Sequence, residues 1–306
     1  MYLVRYSEIA LKSDPVRKEW EKRLIENIKE LLDIGNVRRE RGRIWIDDED
    51  CDPDLLKRVF GIQSFSSCEE CRLDDLEEFL LSYSEEILKN KSSFALSVKR
   101  VGTHDFTSQD VAREMGAKIL DKQPHMKVDL TDPEAKIFIE IRDKRCYIFF
   151  EIIQGIGGLP LGVSGKLVSL FSDKNSVIAS WMMMKRGCKV IPMFVKMGDG
   201  SEESEQKMAE ENLALLKSYS PDLDLRVVSF DGTEAPSKKR IYEMAEEMAF
   251  DIGAKGIVTG ESIVHDRSGT FESLCTIEDT CDIPIYRPLV AFNEEELDSM
   301  LRYISS

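Results

Sequence analysis

An α+β N-terminal part followed by an α/β, Rossmann-like nucleotide-binding domain is the fold class predicted for this 306-residue chain. Three observations predict it. Residues 1–73 mix short alternating strands with helical stretches in one small unit. Residues 74–165 repeat that mixture and close on a charged hairpin and a glycine-rich turn. From 166 to 306 strands and helices alternate, the pattern that builds a parallel sheet with a ligand crevice at its strand ends.

In the first segment residues 2–5 read as a strand, and Asp14 with Pro15 behind it reads as a helix start. Trp20, Leu24, Ile28 and Leu31 recur at helical spacing until Gly35 stops the run. Residues 42–47 alternate polar and apolar, as a half-buried strand does, and 53–60 fit a second helix closed by Gly61. In the second segment Leu76, Phe79, Leu80, Tyr83 and Ile87 form one apolar helix face. Residues 94–100 make a strand ending in two cations, and Ser108 reads as the cap of a helix carrying Val111, Met115 and Ile119. Strands at 136–141 and 146–152 are joined by the turn Arg142-Asp143-Lys144-Arg145. The third segment gives strands at 167–171, 189–194, 225–229 and 256–258, with helices at 177–185, 205–218 and 237–252. Residues 198–204 are linker-like and read as a loop inside this segment.

Charge is unevenly spread. The net charge is −15, but residues 191–306 hold 11 Lys and Arg against 24 Asp and Glu, while residues 91–190 hold 16 against 11. Acidic surface in the last third serves solubility, and the basic middle leaves room for a nucleic-acid face. Arg5 and Glu8 interrupt any apolar leader, and no apolar run is long enough to span a bilayer, so a cytoplasmic protein without a membrane partner is expected. Seven scattered cysteines are expected to be reduced thiols.

Several stretches, in order along the chain, resemble the tRNA 4-thiouridine synthetase (ThiI) family, in its short archaeal form without a rhodanese domain. Arg5-Tyr6-Ser7-Glu8-Ile9-Ala10-Leu11-Lys12 is similar to the family's RYGEIALKG opening, and Phe60-Gly61-Ile62 to its FGI turn. Lys127-Val128-Asp129-Leu130 with Asp132-Pro133 resembles the VDL…PD of its THUMP domain. Residues 155–162 resemble GxGGLPxG, and Met184-Lys185-Arg186-Gly187 its MKRG. Thr259-Gly260-Glu261-Ser262 resembles TGES, and Arg287-Pro288-Leu289 resembles RPL. The resemblance implies a ferredoxin-like domain over 1–73, a THUMP RNA-binding domain over 74–165 and a PP-loop, adenine-nucleotide-hydrolase-type domain over 166–306. It implies tRNA as partner, with a sulfur carrier and a homodimer. It also implies ATP and magnesium as cofactors in adenylating a uridine oxygen before sulfur displaces AMP, and a link to thiamine biosynthesis. On the same basis Leu170, Phe171, Ser172, Lys174, Ser176 and Phe194 would border the nucleotide, together with Lys238, Lys239, Gly260, Glu261 and Gly269. Lys99, Arg100, Lys118, Arg142, Lys144 and Arg145 would meet phosphates of the RNA, with Gly157 and Gly158 beside them.

The sequence departs from the family at the catalytic parts. Where the family has SGGxDS, this chain has Ser172-Asp173-Lys174-Asn175-Ser176, one residue shorter and without glycine. Two readings fit. One is a modified anion site in which the Asp173 carboxylate opposes phosphate and Lys174, Ser172 and Ser176 partly compensate. The other is an ordinary strand–helix turn capped by Asn175 or Ser172. The relay cysteine expected before Lys238-Lys239-Arg240 is absent from residues 232–237, and a thiol is what carries a persulfide. His265 follows TGES in place of a glutamine-containing stretch and reads as a solvated loop residue. Cys68 and Cys71 form a lone CxxC, read as two free thiols because a structural zinc needs four ligands. Cys188, Cys275 and Cys281 read as scattered core cysteines rather than iron–sulfur ligands, and no metal site is assigned. Two functions stay open: an ATP-dependent tRNA sulfurtransferase with an altered loop, or a non-catalytic tRNA-binding adaptor with a relic nucleotide domain.

Overall fold

A computed structural model describes residues 1–40, 42–196, 202–230, 237–263 and 281–306. Contacts divide the chain into two compact units: 1–5, 38–49 and 64–154 form one, and 6–37, 50–63 and 155–306 the other.

The first unit carries two five-stranded sheets. One takes β1 (Tyr2–Arg5), β2 (Val37–Glu40), β3 (Arg43–Ile46), β4 (Ser64–Ser67) and β10 (Ile153–Gln154), in the order β10-β4-β1-β3-β2. The other takes β5 (Glu69–Arg72), β6 (Ser93–Val101), β7 (Lys127–Val128), β8 (Ala135–Arg142) and β9 (Arg145–Phe149), in the order β5-β9-β8-β6-β7. Helices α3 (Leu76–Ile87) and α4 (Ser108–Lys122) bury Leu80, Met115 and Ile119 against Phe94, Ile137, Ile139 and Ile148 of the second sheet. Alternation along the strands sends the intervening residues to the other face. There Tyr147 and Phe149 pack with Leu3, Trp45 and Cys68, the Trp45 and Tyr147 rings lying 3.9 Å apart. Glu140 is buried on that face, and Arg142 Nε donates to it at 2.7 Å while Arg43 Nε approaches at 3.3 Å. A buried carboxylate is tolerable only with such partners.

The second unit holds the helices α1 (Asp14–Leu32) and α2 (Pro53–Lys57), then a parallel sheet. Its strands are β11 (Lys166–Leu170), β12 (Lys189–Lys196), β13 (Arg226–Ser229), β14 (Ile257–Val258) and β15 (Ile285–Tyr286), in the order β13-β12-β11-β14-β15. Helices α5 (Lys174–Lys185), α6 (Glu202–Lys217) and α8 (Glu294–Ser305) form one core with Phe171, Trp181, Phe194 and Leu297. Helix α7 (Lys238–Ile252) covers the other face with Tyr242, Met244, Ala245 and Ala249 over Val168, Met193 and Ile257.

Several sequence expectations change. Asp14 opens α1 but Ser13 is its cap position, and Thr107 rather than Ser108 caps α4 through a reciprocal bond with Asp110. The helix expected to reach residue 60 ends at Lys57. Strand β15 and helix α8 lie beyond the periodicity reading; two residues make no alternating pattern. Gly157 and Gly158, expected beside the RNA, are buried. Gly158 has φ +81°, and a β-carbon on it would lie 2.3 Å from the Lys185 carbonyl oxygen. Gly157 instead locks the turn through bonds between its amide and Ile62 and between the Gly61 amide and its carbonyl.

Gly158→Ala should therefore lower stability by about 2–4 kcal/mol through strain and overlap. Chemical denaturation measures this.

Candidate functional site

The parallel sheet reverses its winding at β11, whose neighbours are β12 and β14. Loops leaving the carboxyl ends of two such strands diverge there and open a crevice. Leu170, Ser172, Asp173, Asn175 and Ser176 after β11 face Thr259, Gly260, Glu261 and Ser262 after β14, with Lys238 at the start of α7, around a cavity of about 320 Å³. A second cavity of about 350 Å³ shares Leu170, Ser172 and Asp173 and adds Phe171, Met193, Phe194, Met208 and Ile241.

The loop after β11 is closed on itself. Asp173 caps α5, its Oδ1 accepting from the Ser176 amide at 2.9 Å. The Ser176 hydroxyl accepts from the amides of Ser172 at 3.1 Å and Asp173 at 3.2 Å, and donates to the Asp173 carbonyl. The cap is thus Asp173, not Asn175 or Ser172. Its Asp-x-x-Ser spacing, read as a capping pair, would have found it. Three donors that such a loop could offer an anion, the amides of Ser172, Asp173 and Ser176, are thus used by the loop's own oxygens.

Glu261 is the charged centre of the cavity wall. Arg287 Nε donates to its Oε2 at 2.9 Å, and Lys238 pairs with its Oε1 at 2.5 Å. Burial raises the Glu261 carboxyl, but the Lys238 and Arg287 cations bonded to it outweigh burial and hold the group below its ordinary 4.5. Burial likewise pushes the Tyr242 phenol up, with the Glu261 charge adding to it. Gly260 permits the close approach of these loops: a β-carbon there would lie 2.6 Å from the Ser176 amide nitrogen.

The expected nucleotide residues divide. Leu170, Ser172, Ser176, Lys238, Gly260 and Glu261 come together in the first cavity, and Phe171 and Phe194 line the second. Lys174 does not join them: its ammonium turns to Asp298 of α8 at 3.0 Å. Lys239 is exposed and points along α7 to Glu243 at 3.9 Å. Gly269 and His265 lie outside the described residues, as do 231–236, where the missing relay thiol was sought. Asn175, Thr259, Ser262, Tyr242 and Arg287 were not singled out for the cleft by residue type, since only the fold brings the strand ends together.

Cys188 immediately precedes β12 and Cys281 precedes β15, so both sit toward the amino ends of strands whose carboxyl ends form the cleft. They pack in separate cores on opposite faces of the sheet. Cys275 lies outside the described residues. Cys68 and Cys71 point to opposite faces of their sheet region; Cys71 stands opposite Cys146 in the β5–β9 register instead.

A basic end lies on the first unit. Val101 pairs with Arg142, Arg142 with Arg145, and Arg145 with Arg72, so four neighbouring strands end together. Lys99, Lys144, Arg145 and Arg72 are exposed there, and Arg100 is half-buried against His104 and Phe106. Arg145 carries a counter-ion, Glu70, at 3.0 Å. Two expected members are engaged by carboxylates within the fold. Arg142 is buried with Glu140, and Lys118 on α4 is neutralised by Glu77 and Glu114. Arg72 was missed because its strand was too short to register.

Fold and cleft together define a THUMP-bearing protein with an α/β domain of the nucleotide-binding kind. Residues 1–66 match the ThiI ferredoxin-like domain, 70–151 the THUMP domain, and 162–306 the family described as thiamine biosynthesis protein (ThiI). A probable tRNA sulfurtransferase of Saccharolobus solfataricus is 37% identical over 98% of this chain and 84% of its own length. Another, of Methanothermobacter thermautotrophicus, is 33% identical over 99% and 84%. Of solved structures, a 4-thiouridine synthetase in complex with RNA and ATP matches with TM-score 0.83 and 29% identity, covering 99% of this chain and 84% of that one. A protein of Pyrococcus horikoshii Ot3 matches with TM-score 0.80 and 28% identity, covering 100% and 99%. This chain belongs to the ThiI family. Among the described residues no helix is long and apolar enough to cross a membrane.

Glu261→Gln should cost about 2–4 kcal/mol at neutral pH by removing the carboxylate charge that faces the buried Arg287 cation and the Lys238 ammonium. Because the folded carboxyl titrates below its ordinary value, its contribution is complete above pH 4.5 and is lost as pH falls through the lowered value. Denaturation midpoints of parent and variant, measured from pH 7 to pH 3, should converge at the acid end.

Proposed function

We propose that this chain is a tRNA-binding protein that engages the RNA class handled by its family through the basic end of the THUMP sheet. In this reading its C-terminal cleft does not drive the ATP-dependent activation of uridine oxygen. The observation that carries the second half is the self-capped loop: Ser172, Asp173 and Ser176 spend their amides on one another. A triphosphate would have to displace Asp173 and meet its charge, while the expected cations are engaged by Asp298 and Glu261. The residues present therefore do not fit ATP with its magnesium, although a related structure holds ATP. This favours the adaptor over a full sulfurtransferase. The first half rests on Lys99, Lys144, Arg145 and Arg72 converging at one sheet end, and on the likeness to a protein solved with RNA. Phosphate contacts of this kind supply affinity and salt dependence without reading bases.

Replacing Lys99 and Lys144 by alanine should weaken tRNA binding about 5- to 30-fold and reduce the slope of log affinity against log salt by about one to two. Filter binding across salt concentrations tests it, with Lys118→Ala as a control that should leave both unchanged. An unaltered slope in the double variant would remove this end of the sheet from the RNA interface.

A further inference from the structure

The geometry points to an uncharged nucleoside, rather than a nucleoside phosphate, as the ligand of the twin cavities at the β11–β14 crevice. This rests on reading the cleft as one of the nucleotide-binding kind and reverses the ligand charge that such a reading would suggest. Two buried polar atoms ask for a partner. The side-chain oxygens of Asn175, 6% exposed, and Ser262, 4% exposed, have no hydrogen-bond partner, and both residues line the first cavity. An unmatched buried acceptor is costly, and a bound donor would relieve it. Next to them the second cavity supplies a mainly apolar slot from Leu170, Phe171, Met193, Phe194, Met208 and Ile241. A flat heterocycle with N–H donors meets both demands. Each cavity lies within the range of small-ligand pockets, about 300–1,000 Å³.

The charges select against phosphate. Asp173 borders both cavities and Glu205 the second, while Glu261 and Lys238 in the first are spent on each other, with Arg287 on the same carboxylate. The Ser176 amide in the first turn of α5 is filled internally, with the Asp173 carboxylate where an external anion would approach. Carboxylates accept hydrogen bonds from sugar hydroxyls but repel phosphate oxygens. Asp173 is accordingly a specificity-determining residue: it completes the loop as a built-in anion and excludes a second one.

Calorimetric titration of the full chain with adenosine and with ATP, the latter with and without magnesium, tests this. The parent should bind adenosine at least about tenfold more tightly than ATP, since one uncompensated like charge at close range outweighs that factor. Asp173→Asn keeps a good capping residue while removing the charge. It should raise ATP affinity about tenfold and so narrow or reverse the preference for adenosine. Asn175→Ala should weaken adenosine about fivefold or more without lowering the melting temperature, because the lost oxygen bonds nothing within the protein. A parent that prefers ATP, or an Asn175→Ala variant with unchanged adenosine affinity, would overturn the inference while leaving the cleft a nucleotide site. Binding of neither ligand by parent or variants would overturn both, and tRNA titration of the same preparations shows separately whether the RNA reading stands.

Discussion

The hydrogen bond from the Ser176 amide to the Asp173 carboxylate fixes what the C-terminal half can do. A helix that begins at the end of a parallel strand exposes amide donors and the positive end of its dipole. Something anionic must meet them. In a glycine loop the ligand does so; here the chain does it itself, one residue after the turn. Ser176 completes the closure by serving two further amides and a carbonyl with one hydroxyl. The consequence spreads outward. Gly260 packs against this first turn, which sets the β14 loop, and that loop carries Glu261 into its grip between Lys238 and Arg287. In the reading proposed above, a cleft of the nucleotide-binding shape survives with its phosphate end closed by Asp173.

The N-terminal unit works on a different principle. Its second sheet is apolar toward α3 and α4 and mixed on the other face, where buried Glu140 holds Arg142 and approaches Arg43. Those cations are structural. The ones left in solvent gather where β5, β6, β8 and β9 end, because an antiparallel hairpin returns its turn to the level of the neighbouring strand tips. The acidic last third of the sequence lies in the other unit, so the net charge of −15 does not describe this end.

Much of the fold was legible in the sequence. Alternating strands and helices from 166 onward gave the parallel sheet, and the face of Ile241, Met244, Ala245 and Met248 gave α7. What escaped was what depends on pairing. A strand of two residues such as β15 exists only because a neighbour holds it. The site was legible by half. Ser172, Ser176, Lys238, Gly260 and Glu261 do converge, yet Lys174 leaves for Asp298 and Arg142 is buried. No local rule says which partner a long cationic side chain will choose. Asp173 was visible as a charge in the wrong place; its role as a cap needed the amide of Ser176 to be seen pointing at it.

The central claim is that tRNA is bound while ATP-driven activation of its uridine is not carried out. Incubating the full chain with tRNA, magnesium and ATP labelled at the α-phosphate, and following AMP and pyrophosphate, tests it most directly. No tRNA-dependent release above the protein-free rate is predicted. Multiple-turnover formation of AMP and pyrophosphate that requires tRNA would contradict the account, because it would require the loop closed by Asp173 to open and hold a triphosphate.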